Sequence, residues 1–243
     1  MFDAFESGGV VEHAYLSLYS FDPFRIIYRM TRTRQDGASR NSSVPATDRV
    51  GRGRPRSDRA NQAILDAFLA HLVRDGFAHL RLEHVAADAG VGKATIYRRW
   101  PSKESLALEL LMQLAAPHLS IEDVGDTRAE LLAAVTNAMR AVTDTPFGPV
   151  IRALLSQIAI NPTLGDPFRA SVVQARRDEV GRVIGRGVGR GDLRGDADTD
   201  LATELLVGPV YFRLMFGGEL SQKFAERVVD SVLRGFAAKR LSA

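Results

Sequence analysis

The chain has 243 residues, 45% hydrophobic and 25% charged, a balance typical of globular proteins and a length that suits one to two domains. It contains no cysteine, which excludes disulfides, thiol catalysis and thiolate metal sites, and no apolar run approaches the roughly 20 residues of a membrane-spanning helix. The net charge of +3 is uneven: residues 49–103 carry 11 Lys and Arg against 5 Asp and Glu, residues 104–243 carry 16 against 18, and residues 1–48 carry 5 against 6. A basic surplus confined to one segment points to phosphate contact there.

Residues 1–48 are expected to be a disordered N-terminal extension, either an addition or the result of an early start, with Met30 as an alternative beginning. Met1 to Met30 carries scattered aromatics without a sustained period, and Thr31 to Arg56 is rich in Arg, Ser, Gly and Pro. Asp3, Glu6, Glu12 and His13 interrupt any secretory signal, so the cytoplasm is the expected location. Arg52, Arg54 and Arg56 end the stretch as a flexible basic arm, placed to follow a DNA backbone or enter its minor groove.

A DNA-binding domain is expected over residues 49–101. Its first helix is predicted from about Ser57 to Arg74, where Ile64, Leu65, Phe68, Leu69, Leu72 and Val73 recur at three- and four-residue spacing, and Asp75-Gly76 ends it. A second helix is predicted over Leu82 to Ala89, with Leu82, Val85, Ala86 and Ala89 on one face. Gly90 can adopt the left-handed conformation that stops a helix, and Val91-Gly92 complete the reversal. A third helix then begins near Lys93. This is a helix-turn-helix pattern, in which the second helix of the motif lies in the major groove. Lys93, Ala94, Thr95, Tyr97, Arg98 and Arg99 are expected toward DNA, while Ile96 and Trp100 turn into the core. Arg81 and His84 are expected on the phosphate side. Ser102 suits the N-cap of the next helix, beside which Lys103 can bond a phosphate.

These residues resemble the tetracycline-repressor (TetR) family of bacterial transcription regulators. The resemblance runs from Ala63-Ile64-Leu65-Asp66-Ala67 through Asp75-Gly76-Phe77 and Val85-Ala86-Ala87-Asp88-Ala89-Gly90-Val91 to Thr95-Ile96-Tyr97-Arg98-Arg99-Trp100-Pro101-Ser102-Lys103-Glu104. Arg81 departs from it, because members usually carry Thr or Ser at the start of the second helix, where the side chain caps the helix and touches a phosphate.

Residues 102–243 carry only helical signals and are expected to form a dimerisation and ligand-binding domain. A connecting helix is predicted from Ser102 to about Pro117, and further helices from Asp126 or Thr127 to about Val142 and from Pro146 to about Ile160. A long helix from Thr163 to about Arg190 is expected to be weakened by Gly181, Gly185, Gly187 and Gly189, and helices over about Asp198–Gly217 and Ser221–Lys239 follow. The resemblance implies that the last two pack against their counterparts in a homodimer. Leu205, Pro209, Phe212, Phe224, Val228, Val232 and Phe236 are the candidate interface residues. Two recognition helices would then reach the half-sites of a pseudo-palindromic operator.

The resemblance also implies a pocket for a small-molecule effector whose binding releases DNA. The candidates to line it are Met139, Leu154, Leu155, Ile158, Phe168, Val172, Leu205, Pro209 and Phe212, with Gln157 or Arg176 as polar contact and Pro209 as a kink. His13, His71, His79, His84 and His118 have no metal-ligand spacing, and no phosphate-binding glycine loop follows a strand, so neither an enzyme, a metal nor a cofactor is expected. The expectation is an all-α regulator, a repressor released by an apolar or amphipathic effector. An effector-independent architectural DNA-binding protein is the alternative.

Overall fold

The computed structural model describes residues 54–238, with side chains from Asp58 onward. Residues 1–48 and Arg52 lie outside the described residues. The helices are α1 (Arg54–His79), α2 (Leu82–Asp88), α3 (Lys93–Arg99), α4 (Lys103–Ala115), α5 (Thr127–Asp144), α6 (Phe147–Ile160), α7 (Pro162–Phe168), α8 (Gln174–Arg190), α9 (Thr199–Phe216) and α10 (Gln222–Phe236). A π-helical segment, Arg169–Val173, joins α7 to α8 without a break. No strand occurs among the described residues, only an isolated bridge between Leu193 and Ala237, and the all-α expectation holds.

Local chemistry sets the boundaries. Asp126 accepts the Ala129 N–H at 2.8 Å to cap α5, Asn161 accepts the Thr163 N–H at 3.0 Å to cap α7, and Asp198 accepts the Leu201 N–H at 3.0 Å to cap α9. At Gly76, φ is 74° and the backbone leaves the helical region, so the regular part of α1 stops where Asp75-Gly76 predicts. The N-terminal boundary differs. Arg54 and Arg56 belong to the first turn of α1 rather than to an extended arm, as Pro55 at the start of a helix allows.

In the first three helices Ile64, Phe68 and Leu72 of α1, Val85 of α2 and Ile96 of α3 are fully buried. Helix α4 packs on α1 and also on α6, α7 and the π segment, and α1 itself rests on α6. Helix α5 is central to the remainder, with α6, α8, α9 and α10 packed around it.

The glycines of α8 do not interrupt the helix, which continues to Arg190 before Gly191, at φ 80°, ends it. Gly187 has a packing role: a Cβ there would stand 2.8 Å from Leu193 Cδ1 and 2.9 Å from Thr127 Cγ2. The stripe on α10 is not an open partner surface either. Phe224, Val232 and Phe236 are buried within the chain and Val228 is half-buried, because α10 lays its apolar face on α5 and α9 and turns Lys223, Arg227, Ser231 and Arg234 outward.

Candidate functional site

The turn between α2 and α3 closes through two backbone bonds. The Gly90 N–H donates to Ala87 O at 3.1 Å and the Val91 N–H to Ala86 O at 2.9 Å, with Gly90 at φ 65°. This pair of bonds around a left-handed glycine is the Schellman closure, and it turns the chain sharply into α3. Buried His71 joins α1 to α2, with Nε2 2.8 Å from Asp88 Oδ2 and Nδ1 3.1 Å from Asp75 Oδ2. Arg74, and after it His71, hold the Asp75 carboxyl well below the usual carboxylate range.

Helix α3 divides as its sequence predicts, with Ile96 and Trp100 buried and Ala94, Tyr97 and Arg98 exposed. Thr95 is half-buried at the first turn, where its N–H donates to Gly92 O at 2.8 Å. Arg98 forms no ion pair among the described residues, which leaves it the most available cation on the helix. Other predicted contacts are already engaged. Lys93 pairs with Glu83 of α2 and sits 5.4 Å from the Tyr97 ring. Arg99 lies over the Trp100 ring at 5.0 Å and bonds Glu109 Oε1 at 3.2 Å, while Trp100 Nε1 donates to Glu109 Oε2 at 2.7 Å. Arg99 thus faces α4 rather than the outer side of α3.

Lys103 is likewise engaged. Its Nζ donates to the Phe77 carbonyl at 2.9 Å and lies 4.5 Å from the Phe77 ring, so it ties the start of α4 to the end of α1. Ser102 caps α4 as expected: its Oγ accepts the Ser105 N–H at 3.2 Å, and its own N–H donates to Ser105 Oγ at 3.3 Å. Arg81 occupies the N-cap of α2 with extended backbone and makes no side-chain cap bond, so the cap that Thr or Ser supplies in the family is absent. Its side chain and His84 are both exposed. The side chains of Arg54 and Arg56 lie outside the described residues.

A second candidate site lies beneath α4. A cavity of about 590 Å³ is lined by α4, α5, α6, α7, the π segment, α8 and α9, within the range of about 300–1,000 Å³ that holds small ligands. Of the predicted lining, Leu155, Ile158, Phe168, Val172, Arg176 and Phe212 face it. Met139 and Leu154 do not, being buried in the helical core, and Gln157 points elsewhere. Leu205 and Pro209 also fall outside it, because α9 continues through Pro209 to Phe216 and turns Gly208, Tyr211 and Met215 toward the space instead.

Sequence reasoning missed Ala115, Leu119, Ala138, Ala141, Phe147 and Ile151 as lining residues, as well as Tyr211, Met215 and Phe216. Pro167 within α7 followed by the β-branched Val172-Val173 was the available signal for the π segment. Such segments often accompany binding sites, since one extra residue per turn re-aims the side chains. Along α9, Leu201 is 45% exposed and Leu205 44%, and Phe212 and Phe216, which also line the cavity, are 63% and 77% exposed. These residues form an apolar stripe with no cover among the described residues.

Residues 64–110 match the family described as bacterial regulatory proteins, tetR family, and residues 121–232 match the tetracyclin repressor-like C-terminal domain. The chain is 32% identical over 188 residues to the DNA-binding transcriptional repressor TetR of Mycobacteroides abscessus, covering 76% of this chain and 95% of that one. It is 29% identical over 188 residues to the uncharacterized HTH-type transcriptional regulator YdeS of Bacillus subtilis, covering 77% and 94%. A crystal structure of a TetR family transcription regulator superposes with a TM-score of 0.59 at 30% identity, covering 74% of this chain and 99% of the other.

Proposed function

The chain belongs to the TetR family of DNA-binding transcriptional regulators, and we propose that it is a homodimeric, cytoplasmic repressor released from a pseudo-palindromic operator by a small molecule in the C-terminal cavity. The observation that carries this reading is the path of α4. Near its start Lys103 donates to Phe77 O at the end of α1, Glu109 accepts from Arg99 and Trp100 at the end of α3, and its last residue, Ala115, lines the cavity. A ligand that favours one tilt of α4 changes the spacing of the two recognition helices. It acts only through its differential affinity for the two states.

On the DNA side Ala94, Tyr97 and Arg98 reach base edges and phosphates, Arg81 and His84 stand beside the backbone, and the basic residues at the start of α1 extend the contact. Lys93, Arg99 and Lys103 take mainly positioning roles. The stripe Leu201–Leu205–Phe212–Phe216 on α9 is the surface covered by a second copy, which brings two recognition helices to half-sites about 34–36 Å apart. A duplex selected from a random pool, titrated by fluorescence anisotropy at fixed salt, tests the assignment. Tyr97→Ala is expected to weaken binding while sedimentation still reports a dimer. Unchanged affinity in that variant, or equal affinity for selected and random duplexes, overturns it.

A further inference from the structure

Arg176 is out of keeping with its surroundings. It lines a cavity whose walls are otherwise mainly aliphatic and aromatic, among them Ile151, Phe168, Val172 and Phe212. Its Nη1 is shielded from solvent and has no hydrogen-bond partner among the described residues. The adjacent Arg177 differs, since it bonds Glu204 at 3.2 Å and Asp200 at 3.5 Å, so the carboxylate on the cavity wall, Glu204, is already matched. Burial lowers the pKa of Arg176 against the opposing pull of Tyr211 and Glu179, yet a guanidinium stays charged across ordinary pH. His118 does not add to that charge: burial, and then the positive charge of Arg176, favour its neutral form. Tyr211 shares the cavity, and burial pushes its phenol up, which keeps an O–H donor there.

A shielded guanidinium nitrogen without an acceptor is costly in the empty protein, and a ligand that supplies a charged acceptor to it removes that cost on binding. We infer that the effector is an anionic amphiphile, one carboxylate or similar oxyanion on an aliphatic or aromatic body, whose oxyanion accepts from Arg176 while the body rests on the apolar walls. The inference rests on the effector reading of the cavity given above. A neutral head of the same shape leaves the guanidinium unmatched, and an amine head is repelled by it.

Two matched pairs of probes test this on the full chain. Binding of 8-anilinonaphthalene-1-sulfonate is compared with that of N-phenyl-1-naphthylamine, which has the same rings without the sulfonate, and decanoate is compared with 1-decanol as their competitors. The anionic member of each pair is expected to bind about ten-fold or more tightly than its neutral partner, the scale of one charge-assisted bond. Arg176→Met is expected to abolish that preference. Arg176→Lys retains part of it, and decides the matter should Arg176→Met not fold.

Equal binding within each pair, or a preference that survives in Arg176→Met, overturns the anionic assignment and leaves the effector reading intact. No binding by any of the four probes overturns both. Anion-selective binding that leaves the operator complex intact upholds the ligand class and overturns release.

Discussion

The two halves of α8 handle buried charge in opposite ways. Toward its C-terminus, the fully buried Glu130 of α5 receives Arg186 Nη2 at 2.6 Å and Arg190 Nη2 at 3.2 Å, while Thr127 donates to Asp192 at 2.7 Å and accepts from Arg190. Every charge there has a partner, and the region is closed. Toward the N-terminus of α8, Arg176 has a shielded nitrogen with none among the described residues, and the region is a cavity. A paired buried charge locks helices together. An unpaired one leaves binding energy for something else to use.

Breaking the closed half should have the largest effect. Glu130→Ala leaves two partly buried guanidinium groups facing a void, and removal of one partner from a buried pair costs about 3–5 kcal/mol. The melting temperature is expected to fall by on the order of 10 °C. A fall of only a degree or two would mean that Asp123, 3.5 Å from Arg186 and 3.6 Å from Arg190, can replace Glu130. Gly187→Val is next, because it forces atoms into the contact with Leu193 and Thr127 and is expected to cost about 1–3 kcal/mol in a denaturant titration. Gly185→Ala is the control. It faces open space in the same helix and should stabilise by about 0.5–1 kcal/mol.

The open half should respond with the opposite sign. Arg176→Met exchanges a partly buried guanidinium with an unbonded nitrogen for an apolar chain of similar length, and is expected to stabilise the ligand-free protein by about 1–2 kcal/mol. A lower melting temperature for this variant would mean that Arg176 is satisfied by solvent in the free protein and that the contrast with Glu130 is false.

How much of this was legible in the sequence follows the range of the interactions. Helix ends were read to within a few residues, since Asp126, Asn161, Ser102 and Asp198 act on N–H groups two or three residues away. The recognition turn was read because Gly90 has to be left-handed. Charge counting found the basic segment but could not tell which cations were engaged. Glu109 lies 10 residues from Arg99 and Glu130 lies 56 from Arg186, and no local pattern joins such pairs. The stripe on α10 failed for a related reason. Periodicity reports that a face is buried without saying whether the chain itself or a second copy covers it. Here α5 covers it, and the uncovered apolar stripe is on α9.

The smallest predicted effect carries the contrast between engaged and open cations onto the recognition helix. Arg98 is exposed and without an ion pair among the described residues, whereas the neighbouring Arg99 is held by Glu109 and the Trp100 ring. If Arg98 meets a phosphate, Arg98→Ala should weaken binding to selected and random duplexes alike and reduce the salt slope of log K by about 2, one for each copy in the dimer. Arg99→Ala should leave that slope unchanged, since its charge is neutralised within the protein before DNA arrives. Equal losses of slope in the two variants would mean that the Glu109 pair opens on DNA. A pair that opens in this way would make the link between α3 and α4 part of the bound state rather than a fixed scaffold for it.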